Sequence, residues 1–184
     1  METNETTQPT LVNHALKFGG ILAAISIVCV LLIYAIDYTI MAGFTFILIV
    51  LVIGIGFTIY SGTNYRGSIG GYIPYSKAYL HGFMVLAISG LVSTLFNILL
   101  YKVIDPDLSA NLTDAIIANT EATMAKFGAP QESIDQAIDK MRDDMPNNFT
   151  VVGLLWGYCK ALIWYAILAL ITAIVVRKNQ PEAM

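Results

Sequence analysis

Four stretches of nearly unbroken apolar residues stand out along the chain, from about Ala15 to Ile36, Ile40 to Tyr60, Ala78 to Tyr101 and Val151 to Val176. Crossing the hydrocarbon of a bilayer takes roughly 20 such residues. Lipid offers no partner for a backbone N–H or C=O, so a spanning segment must close its hydrogen bonds within itself, as a helix. The pattern therefore predicts an all-α membrane protein, with four transmembrane helices in a single transmembrane domain over residues 1–184.

The connection between the third and fourth spans has a different pattern. Asp105-Pro106 breaks the third span, after which Leu108, Leu112, Ala115, Ile116 and Ala122 recur at helical spacing up to a stop at Phe127-Gly128. Pro130 suits a second helix start. Ile134, Ala137, Ile138, Met141 and Met145 then form an apolar stripe that Pro146 is expected to end. The prediction is a helical hairpin over about residues 107–145, outside the cytoplasm. Its stripes need cover from each other, from the membrane surface or from a partner.

Composition agrees with this layout. Hydrophobic residues make up 57% of the chain, charged residues 12%, and the mean hydropathy is +0.68, more apolar surface than a soluble core could hide. The leader METNETTQPTLVNH is acidic and no small-residue cleavage site follows the first span, which reads as a retained helix and not as a secretory signal. Cys29 and Cys159 both fall inside spans and predict neither a disulfide framework nor a zinc site.

Charge sets the expected orientation, because Lys and Arg are retained on the cytoplasmic side. Lys17 opens the first span, Arg66 and Lys77 lie between the second and third, and Arg177 and Lys178 follow the fourth. The segment from Lys102 to Pro146 carries four cations against nine carboxylates. Both termini are thus expected in the cytoplasm, with the acidic segment outside. Tyr34, Tyr38, Tyr60, Tyr101 and Tyr158 fall near span ends, where interfacial aromatics belong.

On the fourth span Gly153, Gly157 and Ala161 recur every fourth residue, a small-residue face that admits a neighbouring backbone. Gly82, Ser89, Gly90, Ser93, Asn97 and Tyr101 share a stripe of the third span that suits the same contact. Two readings stay open: packing of spans three and four within one subunit, or a seam between subunits through Gly153, Gly157, Ala161, Gly90, Ser93 and Asn97.

Lys160 is an ionisable residue inside an apolar span, bordered by Trp156 and Trp164. It can snorkel toward the headgroups, bind an anionic lipid or a partner carboxylate, or take part in translocation; Asp37, at a helix end, reads as a solvated turn carboxylate. The Gly-rich loop Ser61–Lys77, with Arg66 and Lys77, offers amides and cations to a phosphate headgroup, yet it lacks the GK[ST] of a Walker loop and also fits a flexible connection. His14 and His81 stand alone near the cytoplasmic face, with no carboxylate or Cys grouping beside them, which argues against a metal or base role. Asn111-Leu112-Thr113 and Asn148-Phe149-Thr150 are glycosylation sequons that matter only in a eukaryotic secretory pathway. No catalytic residue, cofactor, metal or nucleic-acid contact is expected.

The chain resembles the DUF4199 proteins of Bacteroidetes in several short motifs. They are Tyr65, Arg66, Gly70 and Gly71 before Tyr75, Ser76, Ala78 and Tyr79; Ile104, Asp105 and Pro106 at the third span's exit; Gly128, Pro130, Glu132 and Ile134; and the closing Arg-Lys-Asn at Arg177, Lys178 and Asn179. The resemblance covers nearly the whole chain and implies a small four-helix inner-membrane protein, with no catalytic residues to carry over. Two functions remain open. One is a non-enzymatic membrane accessory or scaffold subunit that docks a membrane protein or a second copy of itself, in contact with membrane lipids. The other is a small transporter or lipid-handling protein with a polar cavity built from Lys160, Asn97, Ser89, Ser93 and Arg66.

Overall fold

The structure is a computed structural model that describes residues 9–180; the acidic leader through Gln8 lies outside the described residues. The described chain is helical almost throughout. In order come α1 (Leu11–Asp37), a 3₁₀ segment (Tyr38–Ala42), α2 (Phe44–Ser68), α3 (Tyr75–Leu99), a π turn (Leu100–Ile104), α4 (Leu108–Lys126), α5 (Gln131–Asn148) and α6 (Val151–Val176). Four helices are long and apolar enough to cross a membrane: α1 with its 3₁₀ extension, α2, α3 with its π turn, and α6. Much of their apolar surface is exposed, Val52 by 69% and Val152 by 77%, surface that water penalises and that a bilayer would cover.

Local chemistry sets the ends. Thr10 Oγ1 accepts from Asn13 N–H at the start of α1, and Thr150 Oγ1 accepts from Gly153 N–H at the start of α6, in the manner of helix caps. Helices α2 and α4 close on glycines in the left-handed region, Gly70 at φ +96° and Gly128 at φ +76°. The next residue's N–H bonds back five positions in each case, Gly71 to Arg66 O and Ala129 to Met124 O.

Two lengths differ from the sequence reading. Helix α2 runs on through Ser61, Gly62, Thr63 and Asn64 to Ser68, with Ser61 and Tyr65 buried and the hydroxyls of this loop-like stretch accommodated on carbonyls of the same helix, Ser61 on Thr58 O and Thr63 on Ile59 O. The loop is left with residues 69–74. Helix α5 passes Pro146 and ends at Asn148. A proline so near a helix end forfeits just one backbone bond, and the chain tightens beyond it through Phe149 N–H to Pro146 O.

The chain divides into two compact units. The first holds residues up to Ile25, Val52–Val92 and Ala161 onward. Its core has two clusters: Ala15, Phe18, Leu22, Val85 and Leu86, and Tyr65, Ile73, Ala78, Ala173 and Val176. A pair of backbone bonds between Ile73 and Lys178, at 2.9 and 3.0 Å, holds the residues after α6 to the α2–α3 loop. The second unit holds Ser26–Leu51 and Ser93–Lys160. There Leu100, Tyr101, Leu108 and Leu112 pack with Tyr34, Tyr38, Phe96 and Phe149, while α4 and α5 meet through Ile117, Ile134 and Ile138.

Candidate functional site

The first unit combines a polar centre with close helix contacts made at glycines. A Cβ on Gly19 of α1 would lie 2.8 Å from Ile88 Cβ of α3. One on Gly62 of α2 would lie 2.8 Å from Val176 Cγ2 of α6, and one on Gly82 of α3 would lie 3.2 Å from Thr58 Cγ2 and 3.3 Å from Thr172 Oγ1. Approach this close requires small residues.

The centre itself is a line of side chains from α1, α2 and α3. Nδ1 of His14 and Nε2 of His81 are 2.9 Å apart, and Nε2 of His14 is 3.1 Å from Oδ1 of Asn64. An amide oxygen only accepts, so His14 Nε2 carries the hydrogen, His14 Nδ1 is the acceptor, and His81 Nε2 donates to it. His81 is fully buried at 0% exposure. Its remaining nitrogen, Nδ1, is buried with no hydrogen-bond partner among the described residues. Aromatic faces cover both rings. Phe18 stacks on His14 at 4.3 Å and 15°, and Tyr65 on His81 at 5.1 Å and 4°. Asn64, by contrast, is exposed, so the line leads from the interior to the surface. Thr58, Ser61 and Thr172 are buried in the same unit, Thr58 and Thr172 against Gly82, and each hydroxyl bonds a carbonyl of its own helix.

The two histidines are therefore not isolated, as the sequence suggested, but in contact across 67 residues. Their common depth near one face was legible in the sequence, but their contact was not. His14 is the fourth residue of α1 and His81 the seventh of α3, so both lie within two turns of helix starts that share one compact unit. No group of three or more His, Cys, Asp or Glu that could hold a metal occurs among the described residues.

The other predicted residues are dispersed. Gly90 packs in the first unit, where a Cβ would lie 2.6 Å from Tyr165 Cε2 of α6. The approach of α3 to α6 in that unit thus runs through Gly82 and Gly90 against Tyr165, Ala169 and Thr172. Gly153 lies against the backbone of Asn147 and Asn148, whereas nothing lies within 4 Å of the position of a Cβ on Gly157. Ala161, Ser93 and Asn97 are half-buried. Lys160 is exposed on α6, and Trp156 and Trp164, one turn to either side, are exposed by 64% and 67%. Arg66 donates from Nη1 to Val176 O at 2.8 Å, and Lys77 is exposed on the first turn of α3. A cleft of about 420 Å³ beside the α2–α3 loop is lined by Gly70, Tyr72, Ile73 and Lys178, with the Lys178 ammonium 5.4 Å from the Tyr72 ring centroid.

These features define a class: a small helical protein with four helices long and apolar enough to cross a membrane, among the described residues, and a polar line between three of them. The family model described as "Protein of unknown function (DUF4199)" matches residues 17–178, and the chain belongs to that family. No curated protein and no solved structure matches it.

Proposed function

We propose that the protein is a multi-pass subunit of the cell inner membrane, without enzymatic chemistry of its own, that docks an acidic transmembrane partner along α6. Lys160 carries this reading. It is the tenth residue of a 26-residue helix, about 14 Å from the helix start at ~1.5 Å per residue, and so inside a hydrocarbon layer of about 30 Å. A lysine at such depth costs roughly 2.5–3.5 kcal/mol on insertion scales. A carboxylate on a neighbouring helix offsets that cost, and two exposed indoles beside it are the flat aromatic anchors that interfaces favour.

Orientation follows from charge. The described part of the first unit carries Lys17, Arg66, Lys77, Arg177 and Lys178 and no carboxylate. The reading puts this unit and both termini on the cytoplasmic side, with Lys77 and its neighbours against anionic headgroups, and the acidic α4–α5 segment outside.

Purification from native membranes in mild detergent tests it. The wild type and Lys160→Arg should retain a stoichiometric membrane protein, or a second copy of the chain, that Lys160→Glu loses. An acid-to-lysine change in the partner should restore the Lys160→Glu complex. A chain that purifies alone in every form overturns the proposal. The polar line of His14, His81 and Asn64 favours a second reading, a small transporter, which a solute or ion flux in reconstituted vesicles would support.

A further inference from the structure

The line of Asn64, His14 and His81 has a donor and acceptor order that makes it more than a satisfied polar contact. Every hydrogen in it points toward the surface: His81 Nε2–H to His14 Nδ1, then His14 Nε2–H to Asn64 Oδ1. The inner end is a bare imidazole lone pair, His81 Nδ1, wholly buried. A buried acceptor without a partner is costly to keep, and a basic nitrogen can take up a proton.

We infer that His14 and His81 form a binding site for a single proton, with Nδ1 of His81 as the atom that receives it and Asn64 as the acceptor that fixes the tautomer of His14. Uptake is balanced simply. A hydronium that reaches the interior during a local opening of the helices forms one N–H bond at His81 Nδ1 and leaves as water. The charge then shifts to His14 when the His81 Nε2–H bond breaks and a His14 Nδ1–H bond forms across the 2.9 Å contact. A second proton would make both facing nitrogens donors and break that bond, so the pair holds one.

Two aromatic faces are the groups packed directly on the pair. Phe18 and Tyr65 present ring faces to His14 and His81, and an aromatic face attracts positive charge. The charged residues on the adjoining elements are Lys17 on α1, Arg66 on α2, Lys77 on α3 and Arg177 and Lys178 after α6, and Tyr65 is the titratable group against His81. No carboxylate of this unit lies among the described residues, so the proton is held by the two imidazoles themselves and not by a salt bridge.

The chain has two histidines in all, so histidine-specific ¹⁵N labelling of the full-length protein in lipid nanodiscs reports on this site alone. At about pH 8 both rings should be Nε2–H tautomers, with a scalar coupling between His81 Nε2 and His14 Nδ1. Titration to about pH 4, within the range where circular dichroism shows the fold intact, should add one proton per chain. Two protons taken up independently, or none, would overturn the inference. Asn64→Leu, at an exposed position, should leave the fold intact but release His14 into a mixture of tautomers. Unchanged His14 signals in that variant would remove Asn64 from the site.

Discussion

The hydroxyl of Tyr34 on α1 donates to Oδ2 of Asp105 at 2.9 Å. The other oxygen of the same carboxylate accepts from the backbone N–H of Leu108 at 3.1 Å. One side chain thus ties α1 to the first turn of α4, where the Leu108 N–H is shared between the Asp105 carboxylate and the Asp105 backbone carbonyl, the latter at 3.3 Å.

Asp105→Ala should destabilise the protein by about 2 kcal/mol, since it removes two hydrogen bonds to a charged acceptor. Tyr34→Phe should cost about 1 kcal/mol. Chemical denaturation of the two single variants and the double variant forms a cycle, and the double should cost less than the sum. Strict additivity would mean that the two side chains do not act together.

Gly62→Ala and Gly157→Ala should behave in opposite ways. At Gly62 the new methyl lies 2.8 Å from Cγ2 of Val176, itself buried at 2% exposure, so a loss of roughly 1–3 kcal/mol is expected from overpacking. At Gly157 nothing lies within 4 Å, and the change should be neutral or stabilising by up to about 1 kcal/mol through helix propensity. Thermal melts in detergent compare them directly. Gly157→Leu then becomes a clean probe of association: a change in oligomeric state with an unchanged melt would place a second molecule on that face.

Arg66→Met should loosen the end of α6. The guanidinium holds the carbonyl of Val176, one of the terminal acceptors that a helix leaves unpaired, and hydrogen bonds to charged groups contribute about 1.5–3 kcal/mol. Faster amide exchange at Arg177, whose N–H bonds Ala173 O, is the expected readout. Unchanged exchange there would assign Arg66 to the membrane surface alone.

Labelling should establish the orientation. With Cys29 and Cys159 replaced by serine, a cysteine at Phe127, exposed by 85%, should react with an impermeant reagent from outside intact cells. One at Gly67, where a side chain meets nothing within 4 Å, should react once the cells are opened. The opposite pattern would invert the proposed topology.

The four long helices were readable because apolar length is a one-dimensional property, and so were the end of α4 and the start of α5, where Gly128 and Pro130 act through their own backbone geometry. The tail of α2 was not. Ser61, Gly62, Thr63 and Asn64 have the composition of a loop, and only their packing shows Gly62 as a notch for Val176 and Ser61 as a buried helical residue. The pairing of His14 with His81 is a tertiary fact with no local signature, since neither residue has a partner within its own helix that hints at the other. Lys160 was conspicuous in the sequence, but its exposure depends on how α6 is rotated, which its nearly uniform apolar composition leaves unspecified.

The π turn at Leu100–Ile104 acts as a phase shifter. A wider turn takes up one extra residue, and each residue of a regular helix corresponds to about 100° of rotation. The turn buries two consecutive residues, Leu100 and Tyr101, and turns the chain so that Asp105 arrives in front of Tyr34. Deleting Val103 would allow the segment to relax to regular α-helical winding, swinging the carboxylate roughly a quarter turn out of reach. The reach of α1 to α4 is therefore encoded in the number of residues that precede Asp105 as well as in its carboxylate.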